Sequence, residues 1–349
     1  MGIFSSHPSE PIKSTSYLVP EIPELSTNRK IFAIAYSFIG TGLHGLQYQN
    51  PDTETIETII FETMINANVL PPDAMINKGV LKWSQCSRTD AGVHSVGQVL
   101  SLYLFIDNSY PWENIAQLLN QNIPERVPKD YIKFWAVIPI MPSFVAQKMA
   151  NAREYQYLMP ISAFGSFFSN ENNVITLHQI ILPEFVGHKN FHNYSTSISR
   201  SDPYRDIYKF DFSKPFKIKN NDFVLWTIHG NSFALNQIRK MLASVLAYAH
   251  GKFSLDDIRA SLTEKKVHIE MIPGDGLFLN KVEYTPILRH FFPHRAPPKS
   301  NDVEFNMYRP QIDKWKLDVL FPHIVDVITS QNVFDEWIQN KLPYCHVIV

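Results

Sequence analysis

Residues 96–106 alternate. Gln98, Leu100, Leu102, Leu104 and Ile106 fall on one side, and Val99, Ser101, Tyr103 and Phe105 on the other. A period of two sustained this long fits a strand, whose successive side chains face opposite ways, and no helix. Residues 80–86 read as a second strand. Between the two lies a short polar connection, Ser87-Arg88-Thr89-Asp90-Ala91-Gly92-Val93-His94. A loop mounted on two strands is rigidly held, and catalytic groups collect on such loops. Asp90 is the only acid between Asp73 and Asp107, with Arg88 two residues before it and His94 four after. Positive charge nearby predicts an ionised carboxylate. Taken alone, Asp-Ala-Gly serves as readily as an Asx turn that merely shapes the backbone.

The chain around this loop separates into four stretches. Residues 1–28 mix Ser, Pro, Thr and Glu without period and read as a loose tail. Residues 29–139 carry a strand at 30–38, the Gly-rich run 40–47 ending in Gln47, a helix after Pro51, the two strands about the polar loop, a helix from Pro111 and a strand at 131–138. The Gly-rich run does not open a helix directly, which argues against a dinucleotide phosphate cradle. The order strand, helix, strand, strand, helix, strand is that of a split βαβ, ferredoxin-like unit.

Residues 140–285 supply a strand with Tyr155, Tyr157 and Met159 on one face, then a polar connection over 161–180. A short helix begins at Pro183 and is broken at Lys189. Strands follow at 204–212 and 223–229, then a long helix over 232–250 stopped by Gly251, a helix at 255–262 and a closing strand at 277–282. This reads as a second α/β unit. Residues 286–349 hold a basic, Pro-containing link and helical pieces around 312–328 and 334–342.

On the long helix, Leu235, Leu242 and Leu246 form an apolar stripe, and Arg239 falls on it rather than opposite, where Asn236, Gln237, Lys240 and Ser244 make a polar side. A buried guanidinium cannot shed its proton and needs an anion. A guanidinium that snorkels to solvent needs none. The helix by itself leaves both readings open.

The octet 87–94, followed by Gly97-Gln98-Val99, resembles the signature loop Arg-Thr-Asp-x-Gly-Val-His of the TruA family of pseudouridine synthases. The resemblance continues in order from about Arg29 to Tyr284. It takes in the Gly-rich run ending at Gln47, Arg153-Glu154-Tyr155-Gln156-Tyr157, and the helix motif over 233–245, with weaker matches at 119–124, 191–195 and Gly276-Leu277. Residues 314–343 resemble the helical C-terminal extension of the family's eukaryotic pseudouridine synthase 1 branch.

The resemblance implies an α+β fold: two ferredoxin-like α/β halves sharing a central mixed, mainly antiparallel sheet and a cleft, plus a C-terminal helical extension. It implies isomerisation of uridine to pseudouridine in tRNA, with Asp90 as nucleophile, Tyr155 stacking on the flipped base and Arg239 ion-paired to Asp90. Arg88, His94, Gln47, Lys148, Arg153 and Lys240 are the expected RNA contacts. No cofactor and no metal are expected, and a monomer is. Departures are Asn236 where the family usually has His, Ala243 where it has Gly, and Gln147 where bacterial members carry a basic residue.

Composition tests this only weakly. A net charge of −1 is unusual for a nucleic-acid binder, so a basic surface has to be local, with Arg88, Lys148, Arg153, Lys189, Arg200, Arg205, Arg239 and Lys240 to build it. Two cysteines cannot make a disulfide framework and point to a reducing compartment. No apolar run reaches membrane-spanning length and no secretory pattern is visible at the start, so a nuclear or cytoplasmic protein is expected. Three other readings compete. A non-catalytic RNA-binding protein or tRNA chaperone on the same fold would not need the trio of Asp90, Tyr155 and Arg239. A thiol site of Cys86, Asp90 and His94 has poor spacing for a Cys-His dyad. A metal pair of His188 and His192 lacks a third ligand.

Overall fold

Strand β3 (His94–Leu104) has a buried face on each side, which is why the fold grows around it. Leu100, Leu102 and Leu104 pack in one core and Val99 in the other. The computed structural model describes residues 25–76, 78–196, 202–284 and 307–348. Residues 1–24 of the expected tail, Arg200 and the link at 285–306 lie outside them.

In the first half, β1 (Lys30–Phe38) pairs antiparallel with both β3 and β4 (Ile132–Pro139), and β2 (Ser84–Gln85) pairs with the far part of β3. Helices α1 (Ile56–Asn66) and α2 (Ile115–Gln121) cover one face, with Ile56, Ile60, Met64, Ile115 and Leu118 buried against Phe32, Ile34 and Phe134. A capping box starts α1: the Thr55 side chain accepts from the Thr58 amide and Thr58 returns the bond. The expected strand over 80–86 shrinks to two residues. Lys82 sits at φ 51°, and the chain turns there to stack Trp83 on Phe61 at 4.2 Å.

The second half repeats this topology. After the four-residue α3 (Ala146–Met149) comes β5 (Ala150–Pro160), which lies between β11 (Leu277–Tyr284) and β9 (Asn221–Gly230). Outside β9 come β7 (Tyr204–Phe212) and β6 (Gly187–Asn190), with β8 (Phe216–Ile218) on the end of β9. The ten-stranded sheet runs β4-β1-β3-β11-β5-β9-β7-β6. Every pairing is antiparallel except β3 with β11, where the halves meet and His94 lies opposite Phe278. A Cβ on Gly97 would stand 2.6 Å from the Asn280 carbonyl oxygen, so only glycine lets the two strands come this close. The mixed, mainly antiparallel α+β sheet agrees with the sequence expectation.

Two local expectations fail. The polar connection over 161–180 is largely helical: α4 (Glu171–Thr176), a π-helical turn (Leu177–Ile181) and α5 (Leu182–Glu184) form one rod. Leu177, Ile181, Leu182 and Phe185 are its buried face, and Gly187 and His188, expected to continue the helix from Pro183, open strand β6 instead. The long helix α6 (Gln237–Ala249) starts five residues later than expected, because Asn236 adopts a left-handed conformation at φ 64°. Leu235 therefore lies outside the helix and is 48% exposed, while Gln237 and Ser244 are buried. The proposed stripe and polar side do not exist in that form.

Helix α7 (Leu255–Ser261) and the β10 (Val267–His268)–β12 (His346–Val347) ribbon lie beyond α6. Helices α8 (Arg309–Trp315), α9 (Phe321–Ser330) and α10 (Val333–Asn340) lie across both halves. Trp315 Nε1 donates to the Asp130 carbonyl, Trp337 Nε1 to the Met271 carbonyl, and Phe321 meets Phe278. Full burial of Phe321, Ile324, Val325 and Ile328 contributes roughly 1.5–3 kcal/mol each. No helix of the described residues is long and apolar enough to cross a membrane.

Candidate active site

The loop before β3 closes as a tight turn, with the Val93 amide donating to the Asp90 carbonyl at 3.2 Å. The Gly-rich run lies directly behind it. Leu46 N donates to Thr89 O at 3.1 Å, and a Cβ on Gly40 would fall 2.2 Å from Val93 O. The loop forms one wall of a cleft of about 470 Å³, and residues 232–239 ahead of and within α6 form the other. Asp90, Tyr155, Arg239, Arg88 and Arg153 all line it, as do Ser87, Phe233 and Gln147.

Among the described residues, no hydrogen bond reaches the Asp90 carboxylate, so it is not the cap of an Asx turn. Burial raises its pKa and the Arg239 charge lowers it again by less. The carboxyl therefore sits above its ordinary range, the reverse of the expectation drawn from neighbouring charges. Arg239 is electrostatically coupled to Asp90 but forms no direct ion pair with it among the described residues. Its Nε donates to the Ile272 carbonyl at 2.7 Å instead. Burial lowers the Arg239 pKa, with Tyr157, Asp90 and Asp275 opposing.

Tyr155 reaches the cleft from β5. Its hydroxyl is 2.6 Å from Ser87 Oγ, Phe233 meets its ring edge-on at 5.3 Å, and burial pushes its pKa up to about 12. It is therefore a neutral phenol at physiological pH.

The expected RNA contacts divide. Arg88 is exposed beside Asp90. Arg153 is committed to the backbone: its Nε and Nη2 donate to Cys86 O at 3.0 and 2.7 Å, and its other bonds go to Asn231 O and Gln147 O. It braces the chain at the start of the loop before β3. His94 is fully buried, with both ring nitrogens bonded to backbone, and has no surface to offer RNA. Lys240 is half-buried, donates to Asn193 O at 3.2 Å and does not line the cleft. Gln47 and Lys148 are exposed outside it. Of the other basic candidates, Arg205 is spent on the Asp202 and Tyr204 carbonyls.

The thiol reading fails on burial, which pushes Cys86 to about 11 and leaves it a thiol bonded to the Val99 amide. His188 faces Asp206 rather than His192. Sequence reasoning missed Ser87, Phe233 and the turn at 272–276. Ser87, Phe233 and Gly276 fall inside stretches that the resemblance matched, but nothing in their residue types assigned them a role there.

A family model described as tRNA pseudouridine synthase matches residues 181–285, which include Arg239 and the 272–276 turn. A Mus musculus protein described as pseudouridylate synthase 1 homolog is 26% identical over 352 residues, covering 97% of this chain and 79% of its own. The tRNA pseudouridine synthase 1 of Kluyveromyces lactis is 23% identical, covering 89% and 70%. The tRNA pseudouridine synthase A of Methanosphaera stadtmanae is 29% identical over 260 residues, covering 73% and 84%.

Proposed function

We propose that the chain, similar over most of its length to tRNA pseudouridine synthases, is a member of the TruA family and that its cleft isomerises specific uridines of tRNA to pseudouridine with Asp90 as the nucleophile. The observation that carries the assignment of Asp90 is a half-buried carboxylate with no hydrogen bond among the described residues, beside Tyr155 and within the field of Arg239. A structural carboxylate so placed would be paired, because leaving it unpaired is costly.

The target base leaves its stack at a cost of roughly a few kcal/mol. Tyr155 holds it by ring contact, its hydroxyl already bonded to Ser87. Asp90 attacks the ribose anomeric carbon and the glycosidic bond to N1 breaks. The uracil turns and bonds through C5 to the anomeric carbon as the Asp90–carbon bond breaks and frees the carboxylate, and C5 gives up its proton while N1 gains one. The product is an isomer, and nothing is oxidised or lost. Arg88, exposed at the mouth, meets phosphate.

The protein works as a monomer. Helices α8–α10 cover sheet surface that a second subunit would otherwise bury. Light scattering at micromolar concentration is expected to give one chain, and a stable dimer would contradict this.

Asp90→Asn tests the assignment. It is expected to abolish turnover and leave tRNA affinity near parental, since it removes a nucleophile and little else. Asp90→Glu also fails, because one methylene misplaces the attack. A loss of only a few-fold in Asp90→Asn would remove Asp90 as nucleophile.

A further inference from the structure

We propose that His94 is a positioning residue that sets the separation of Asp90 and Arg239, by fastening the catalytic loop to the Gly-rich run on one side and to the 272–276 turn on the other. The proposal rests on the reading of Asp90 as nucleophile. His94 Nδ1 accepts from the Gly40 amide at 3.0 Å, and Nε2 lies 3.0 Å from the Asp275 carbonyl oxygen. A carbonyl only accepts, so Nε2 carries the hydrogen and Nδ1 is bare. One neutral tautomer satisfies both bonds.

The turn that His94 holds is the seat of Arg239, whose Nε bonds Ile272 O. The same turn is held by Tyr157, which donates to Pro273 O at 2.8 Å, and by the Leu158 amide, which donates to Gly276 O at 2.9 Å. A Cβ on Gly274 would meet Arg239 Cζ at 3.6 Å and Ala91 O at 3.7 Å, so this glycine stands between the guanidinium and the catalytic loop. The other bond reaches the run that backs the loop. His323 of α9 braces that run through Thr41 Oγ1 at 2.8 Å and lies edge-on to His94 at 5.8 Å. The groups facing His94 are thus His323 and the Asp275 backbone, and those facing Asp90 are Arg239 and Tyr155. His94 touches no substrate. It acts through the geometry of the groups that do.

The experiment compares His94→Asn with His94→Gln in the full chain, with Asp90→Asn assayed beside them. The Asn amide reaches the Nδ1 position and keeps the Gly40 bond alone. The Gln amide reaches the Nε2 position and keeps the Asp275 bond alone. Both variants are expected to keep parental tRNA affinity, while the single-turnover rate at saturating tRNA falls about ten- to a hundredfold, the scale of an ångström-sized misplacement. In both, the acidic limb of the pH–rate profile moves to higher pH, because the released turn lets Arg239 draw back from Asp90 and weakens the charge that offsets its burial. A rate within about twofold of the parent overturns the proposal. So does a rate loss with an unmoved acidic limb, or one that merely follows loss of fold, since either marks a structural residue. Turnover retained in Asp90→Asn would instead remove the nucleophile reading, and with it the separation that His94 is proposed to set.

Discussion

Acidification should unfold this protein through His94 in particular. Burial holds its imidazole at about 3, against an ordinary value of 6.5. In the folded chain it stays neutral while the unfolded chain binds a proton at any pH below 6.5. A group with a depressed folded pKa stabilises fully above its unfolded value and loses that stability as pH falls, here from about 6.5 down to about 3. The slope approaches ~1.4 kcal/mol per pH unit, so His94 accounts for about 2 kcal/mol of lost stability by pH 5 and at most roughly 5 kcal/mol by pH 3. His323, half-buried and also depressed by burial, adds a smaller contribution of the same sign. The assay is urea unfolding, followed by tryptophan fluorescence, of the parent and His94→Gln at about pH 7.5 and about pH 5. Titrating groups away from His94, other than its neighbour His323 and Asp90, are common to both proteins and cancel in the difference. His94→Gln is expected to be the less stable protein at the higher pH and to lose about 2 kcal/mol less on acidification. Parallel losses, within about 0.5 kcal/mol, would show that the imidazole protonates without unfolding and that burial does not hold it neutral.

Arg239→Leu removes the charge that partly offsets burial at Asp90, so the carboxyl pKa rises further and the acidic limb of the pH–rate profile moves upward, with most activity lost. Arg239→Lys should not restore it, because an ammonium cannot both hold Ile272 O and spread charge toward the loop. A parental rate and limb in Arg239→Leu would take Arg239 off the catalytic list. Gly40→Ala drives a methyl into Val93 O and is expected to destabilise by about 1–3 kcal/mol and to cut turnover, and an unchanged melting temperature would contradict the contact. Tyr155→Phe keeps the ring and loses the Ser87 bond, at about 0.5–1.5 kcal/mol of stability with only a modest fall in rate. Tyr155→Leu should be inactive, and equal rates in the two variants would argue against stacking. Binding of tRNA should weaken steeply with salt. A flat response would mean that Arg88 and its neighbours do not meet phosphate.

Local pattern alone was enough for β1, β3, α1 and the order of the first half, because period and polarity are properties of consecutive residues. The octet around Asp90 was legible for the same reason: it is continuous in the chain and forms one loop. Other features were beyond local reading. Leu177, Ile181, Leu182 and Phe185 are spaced as a helix face, but the polar residues before them obscured it until β7 supplied something to pack against, with Phe185 edge-on to Phe210. Leu235 looked like the first rung of a buried stripe, and a single left-handed residue, Asn236, put it outside the helix. Arg239, Arg153 and His94 are polar residues of a kind that serves equally well at a surface or in a core. What settled them was the partner each one found: Ile272 for Arg239, Cys86 for Arg153, and Gly40 and Asp275 for His94. Those partners are 33 to 181 positions away in the chain. A sequence records which groups need hydrogen bonds or counter-charges, but only the folded chain brings a particular donor to a particular acceptor. The residue types of the site could therefore be read from the sequence, while the separation of Asp90 from Arg239 and the burial of His94 were decided by the meeting of β3 with β11.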